Sequence, residues 1–214
     1  MKTLNLKKKL NLRIFAFLTL FAVAAMTISC EKPSDDFEPI STEDAELKAG
    51  KAVKKGDLSI AEIALADDGE FDELVAALLY VDDSLGTGLV DMFLNGTDQY
   101  TVFAPTDAAF EALYGALGVT AITDLDAGLV LNVLLYHVTD GRRAANSVVP
   151  KNSPRNIETL LEGASFKVDN AGMIWAVGNT ANFVTDEEGN LMVNISASNG
   201  IIHVIDAVIL PIEV

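Results

Sequence analysis

Scarcity defines this chain first. Its 214 residues contain one cysteine, two histidines, one tryptophan and six prolines. A single cysteine excludes an internal disulfide framework and a cysteine-built zinc site. Basic residues are also few: 15 Lys+Arg face 31 Asp+Glu, for a formal net charge of -16. Such a chain repels phosphate backbones, which disfavours nucleic acid as a partner. Two histidines leave little scope for imidazole chemistry. No GxSxG, P-loop, GxGxxG or HExxH pattern occurs. Apolar residues are plentiful, at 50% of the chain, which supplies a core and excludes disorder throughout. The length suits one domain with extra segments, or at most two small domains.

The charge is spread unevenly. Lys2, Lys7, Lys8, Lys9 and Arg13 precede an apolar run from Ile14 to Ile28, broken only by Thr19 and Thr27. A basic start before a short apolar run reads as a secretory signal, and a membrane span needs about 20 apolar residues. The run ends at Ser29-Cys30, and Cys30 is the only cysteine. This resembles a bacterial lipobox, although Thr27 stands where that pattern prefers Leu, Val or Ile. The resemblance implies a lipid on Cys30. The run Ser34-Asp35-Asp36-Phe37-Glu38 is similar to an export signal that sends some lipoproteins to the outer face of the outer membrane. An ordinary solvated acidic linker is the alternative, and the periplasmic face is then the location. Stable anchoring takes more than one acyl chain, as such a lipid provides.

Three segments follow: residues 1–29 as signal peptide, 30–56 as lipidated cysteine and acidic tether, and 57–214 as the folded domain. The tether carries Pro33, Pro39, Gly50, Gly56 and many charges without an apolar period. As a flexible coil it would reach roughly 25–30 Å. Residues 30–214 hold 10 Lys+Arg against 31 Asp+Glu, so the acidic excess belongs to the tether and the domain.

From Asp57 the pattern becomes regular. Ile60, Ile63 and Ala64 have helical spacing, and Phe71, Leu74, Val75, Leu78 and Leu79 make a fuller stripe. Asp67-Asp68-Gly69 separates the two helices. A third short helix covers Leu89–Leu94 and ends at Asn95-Gly96. Tyr100–Ala104 reads as a strand that Pro105 stops. Thr106 or Asp107 then caps a helix carrying Phe110, Leu113, Tyr114 and Leu117. Ser165–Val168 and Met173–Val177 read as strands around the turn-rich Asp169–Gly172. Asp186–Asn190 reads as a turn before a strand over Leu191–Ser196. A helix-rich first half and strand-rich second half favour an α+β class.

Three blocks carry a family resemblance. They are Thr101–Phe110 (TVFAPTDAAF), Leu134–Val138 (LLYHV) and Ala197–Pro211 (ASNGIIHVIDAVILP). In this order and spacing they resemble the fasciclin (FAS1) adhesion domain, over about residues 57–212 and in a single copy. The resemblance implies a β-wedge or sandwich of about seven strands with several helices packed across it. It implies motif positions of structural weight at Thr101, Phe103, Pro105, Thr106, Asp107, Phe110, Asn199, Gly200, His203 and Asp206. It also implies a partner contact at the Tyr-His segment, which here is Tyr136 and His137. The residues themselves support a blander reading of His137: a packed, hydrogen-bonded side chain complementing the C-terminal end of an apolar helix.

His203 lies in the apolar run Ile201–Leu210, the pattern of a strand buried on both faces. Alternation sets His203 and Asp206 on opposite faces, so they do not form an adjacent pair. A buried Asp206 would need donors, such as backbone amides. Asp124-Leu125-Asp126-Ala127-Gly128 starts like a calcium loop, but Gly128 falls one place early and the distant Glu is missing. A helix-capping turn is the better reading.

The expected function is a non-catalytic binding or adhesion module of the cell surface, anchored by lipid. Its ligand would be a protein, matrix or glycan. The domain is expected to be monomeric and to need no cofactor or metal. The competing function is a polysaccharide-binding accessory protein of an envelope uptake assembly. That reading calls for exposed aromatics, and Trp175 is the only tryptophan.

Overall fold

The computed structural model describes residues 55–66 and 69–213. The signal segment, Cys30, the acidic run behind it and the tether up to residue 54 lie outside the described residues.

Three short helices come first: α1 (Ile60–Ala66), α2 (Asp72–Leu85) and α3 (Leu89–Asn95). Strand β1 (Tyr100–Pro105) leads into α4 (Asp107–Leu117), a 3-10 turn (Ile122–Asp124), α5 (Ala127–Tyr136), β2 (Val138–Asp140) and α6 (Ala145–Val148). The rest is strands: β3 (Arg155–Glu158), β4 (Ser165–Val168), β5 (Ile174–Trp175), β6 (Thr180–Ala181), β7 (Ile195–Ser196) and β8 (Gly200–Ile205). The class is α+β, as the halves of the sequence imply. Eight strands stand where about seven were expected, in two four-stranded sheets.

Sheet one has the order β2-β1-β8-β7, with β1 and β8 parallel and the outer pairs antiparallel. Sheet two is the antiparallel series β3-β4-β5-β6. Strand alternation builds the layers. Tyr100, Val102 and Ala104 of β1, with Ile202 and Val204 of β8, join the core beneath the helices. Phe103 and Ile205 turn the other way and join Ile157, Phe166, Val168, Ile174 and Ala181 of sheet two. Sheet one is therefore sandwiched between helices and sheet two. Every residue of β1 and β8 is buried, as a near-continuous apolar run requires.

Helix starts follow local chemistry. Ser59 and Glu62 form a capping box at α1: the Ser59 hydroxyl accepts from Glu62 N at 3.2 Å, and the Glu62 carboxylate accepts from Ser59 N at 2.7 Å. Thr106 caps α4, accepting from Ala109 N at 3.2 Å. Asp126 caps α5 through Leu129 N at 3.0 Å. Two helices borrow their caps. Asp107 accepts from Glu73 N at 2.9 Å in the first turn of α2, whose own preceding residue is Phe71. Asp82 accepts from Leu89 N and Val90 N at the start of α3, which follows Gly88. These loans join neighbouring elements as well as satisfying orphan amides.

Several strands are shorter than the sequence pattern predicts. The Met173–Val177 strand reduces to Ile174–Trp175, and Leu191–Ser196 reduces to Ile195–Ser196, with a lone bridge from Thr185 to Leu191. The run Ile201–Leu210 is strand only to Ile205. Beyond it the apolar residues Val208, Ile209 and Leu210 remain buried without strand pairing. Burial alone made that stretch look like strand.

Candidate functional site

The Tyr-His segment sits at the end of α5, where the chain turns into β2. Both residues are buried, Tyr136 at 0% exposure and His137 at 3%. The Tyr136 hydroxyl donates to the Ser165 carbonyl at 2.9 Å, tying α5 to sheet two. Its ring meets Phe166 edge-on at 5.8 Å. The His137 Nδ1 lies 2.7 Å from the Val133 carbonyl, and Nε2 accepts from Ile209 N at 3.0 Å. Those partners fix one neutral tautomer, with the proton on Nδ1. Burial pushes the imidazole down to about 4, so it carries no charge at neutral pH. The expected partner contact at Tyr136 and His137 is thus corrected: these side chains present no surface to a partner. His137 terminates the helix as a neutral donor, not as a cation facing its dipole.

Apolar clefts border α5 on two sides and share Leu74, Leu134 and His137. The larger has a volume of about 110 Å³. Because both ring nitrogens of His137 already have backbone partners, the clefts receive no polar group from it.

His203 is likewise structural. It is fully buried in the middle of β8, beside Phe103 at 5.6 Å and Phe183 at 5.9 Å between ring centres. Its Nε2 lies 2.9 Å from the Arg143 carbonyl, and Nδ1 accepts from Asn194 N at 3.3 Å. The proton therefore sits on Nε2, the opposite tautomer to His137. Burial pushes this ring down to about 4 as well. Asn194 holds φ at 62°, a conformation that asparagine tolerates, and its side chain accepts from Ala145 N at 2.7 Å.

Asp206 differs from the expectation of burial. It is exposed, one residue past the end of β8. Its carboxylate accepts from Asn182 N at 2.7 Å and from Asn182 Nδ2 at 3.0 Å. The face argument from strand alternation lapses there, because the strand has ended.

The remaining family positions hold elements together. Thr101 is fully buried; its hydroxyl donates to the Gly141 carbonyl at 2.7 Å and accepts from Arg143 N at 2.8 Å. Phe103 meets Phe166 edge-on at 5.0 Å across the sheets, a favoured aromatic geometry. Pro105 pairs with Ile205 at the end of the parallel ladder, and Phe110 packs beside Tyr114. Asn199 accepts from Ile60 N at 2.8 Å and donates to the Phe93 carbonyl at 2.8 Å. One buried amide thus joins the start of α1, the end of α3 and β8. Gly200 is required by space: a Cβ there would lie 2.3 Å from the Tyr100 carbonyl oxygen and 2.6 Å from the Ile60 side chain.

Arg142 was not singled out by sequence reasoning. Its guanidinium donates to the Ala197 carbonyl at 2.8 Å, to the Gly200 carbonyl at 2.6 Å and to the Ser196 hydroxyl. It closes the turn between β7 and β8. No motif marks an arginine of this kind.

The calcium-like start at Asp124 is a capping turn, as its missing ligands imply. Asp124 accepts from Thr120 N, the Thr120 hydroxyl and Ala121 N. These donors hold its carboxyl below the usual range. Among the described residues no group of three His, Cys, Asp or Glu side chains is placed to hold a metal ion.

The outward face of sheet two is different in kind. Asn156, Lys167, Trp175 and Thr180 are exposed and stand side by side across all four strands. Trp175 is 50% exposed, the one exposed aromatic residue among the described residues. Its indole Nε1 donates to Asp169 at 3.1 Å. Asp169 also accepts from Ala171 N and Met173 N, both at 2.9 Å, so the β4–β5 turn orients the ring. The indole N–H, first among these donors, holds the Asp169 carboxyl below its usual range.

Comparison with known proteins now settles the family. The fasciclin domain family matches residues 72–211. The chain belongs to the fasciclin family. It is 30% identical to Protein sll1483 of Synechocystis over 201 residues, covering 93% of this chain and 96% of that protein. It is 33% identical to Immunogenic protein MPB70 of Mycobacterium bovis, covering 70% of this chain and 67% of the relative. Cell surface glycolipoprotein MPB83 of the same species is 31% identical, over 58% of this chain and 48% of its own. Among solved structures, a FAS1 domain pair from the insect cell adhesion molecule Fasciclin I aligns with a TM-score of 0.48 and 20% identity. That alignment covers 68% of this chain and 46% of the other.

Proposed function

We propose that this fasciclin domain is a non-catalytic binding module displayed on the cell surface by a lipid on Cys30. Family membership is the observation that carries the reading. The internal chemistry supports it. Both histidines spend both ring nitrogens on backbone partners, which leaves neither for proton transfer. The relative named as a cell surface glycolipoprotein supports a surface location. The Ser29-Cys30 boundary and the acidic run behind it support lipid attachment and outward export. Contact with a partner then falls to outward faces of the domain, since Tyr136 and His137 are interior.

Protease shaving of intact cells tests the display. Degradation of the domain on intact cells is expected. Survival until the outer membrane is permeabilised would contradict it. Radiolabelled palmitate should enter the wild-type protein and be absent from Cys30→Ala.

A further inference from the structure

We infer that the outward face of sheet two is a glycan-binding platform centred on Trp175, with a neutral gluco-configured polysaccharide as its ligand. This rests on the surface-display reading and gives it a ligand class. Every other aromatic ring of the described domain is buried or half-buried. Among these rings the indole alone is left half in water, on a face that no other described element covers, although burying it would remove a large apolar area from solvent. The ring is also held in place, by Nε1–H donation to Asp169. Holding the ring beforehand lowers the ordering cost of a ligand that stacks on it.

The neighbours select the ligand. Asn156 and Lys167 stand on one side of Trp175 and Thr180 on the other, all exposed and in cross-strand register. Glu158 is exposed on the same side of β3, one alternation from Asn156. A gluco-configured pyranose has an apolar face of axial C–H bonds and a rim of equatorial hydroxyls. The C–H face suits the indole plane. The hydroxyl rim suits an amide, a hydroxyl, an ammonium and a carboxylate, which together offer donors and acceptors. Lys167 stands against the two carboxylates of Glu158 and Asp169, so the face carries a small net negative charge that disfavours a polyanion. Strands lie about 4.8 Å apart, so four strands span roughly 15 Å, the scale of a few sugar rings in a row.

Trp175 is the only tryptophan in the chain, so its emission reports this face alone. The mature lipidated protein in a zwitterionic detergent, which brings no sugar, would be titrated with cello-oligosaccharides and with laminarin. A saturable blue shift, with protection from acrylamide quenching, is the expected result. By calorimetry Trp175→Ala should bind at least about tenfold more weakly, Trp175→Phe should fall between, and both should melt within a few degrees of wild type. Unchanged emission with both glycans overturns the inference. So does unchanged calorimetric affinity in Trp175→Ala, or emission that responds to a surface-protein extract and to neither glycan. Shaving and palmitate labelling read the display independently, so failure of one claim is separable from failure of the other.

Discussion

In sheet one, all six residues of β1 and all six of β8 are buried. In sheet two, the strands alternate, with Ile157, Phe166, Val168, Ile174 and Ala181 inward and Asn156, Lys167, Trp175 and Thr180 outward. Sheet one is the middle layer, and its buried polar groups are paired within the fold. Sheet two has one face that no other described element covers, and its side chains there are exposed. The family blocks lie mostly in and around sheet one. Four of their buried polar members (Thr101, His137, Asn199, His203) each satisfy backbone groups of other elements. Their chemistry holds the fold together, and the proposed glycan platform lies on the other sheet.

Substitutions should separate the two sheets by stability. Phe103→Ala removes a fully buried ring between the sheets and should cost about 3–5 kcal/mol, read as a lower urea midpoint. Acid comes next. Each histidine is neutral in the fold with a pKa pushed from 6.5 to about 4, whereas the unfolded ring charges near 6.5. The unfolded state therefore binds more protons between those values, so stability is full above about pH 7 and falls as pH drops toward 4. The loss should be roughly 3 kcal/mol per histidine across that window, seen as a falling melting temperature. His203→Phe should flatten part of that slope, whatever it does to stability at pH 7.

Asn199→Ala strips partners from Ile60 N and the Phe93 carbonyl and should cost about 2–4 kcal/mol in chemical denaturation. Thr106→Ala removes one helix cap and should cost about 1 kcal/mol by the same measurement. Trp175→Ala, on the open face, should cost less than about 1 kcal/mol by thermal melting while carrying the largest effect on glycan binding. If Trp175→Ala destabilised the fold as much as Asn199→Ala, the contrast between the sheets would collapse.

The α+β class and the helices α1 to α4 were legible because apolar spacing, Thr106 and the Asp67–Gly69 break are local signals. The burial of β8 was legible from its unbroken apolar run, but its end was not, because buried loop residues such as Ile209 read like strand. Asp206 was misplaced for that reason. The loan from Asp107 and the span of Arg142 connect residues far apart in sequence, which no local pattern encodes. Tyr136 and His137 were legible as an apolar-helix end, and burial there decides against contact. The outward row on sheet two was invisible, because only cross-strand register places Asn156, Lys167, Trp175 and Thr180 together.

The central claim is that the motif histidines are neutral parts of the interior. The chain has only two, so ring-nitrogen NMR of uniformly 15N-labelled protein gives two assignable spin systems. Followed from pH 8 to pH 5, both rings should stay neutral, His137 with its proton on Nδ1 and His203 with its proton on Nε2. A ring that titrates near 6.5, or that exchanges between tautomers as a solvent-exposed imidazole does, would contradict the account.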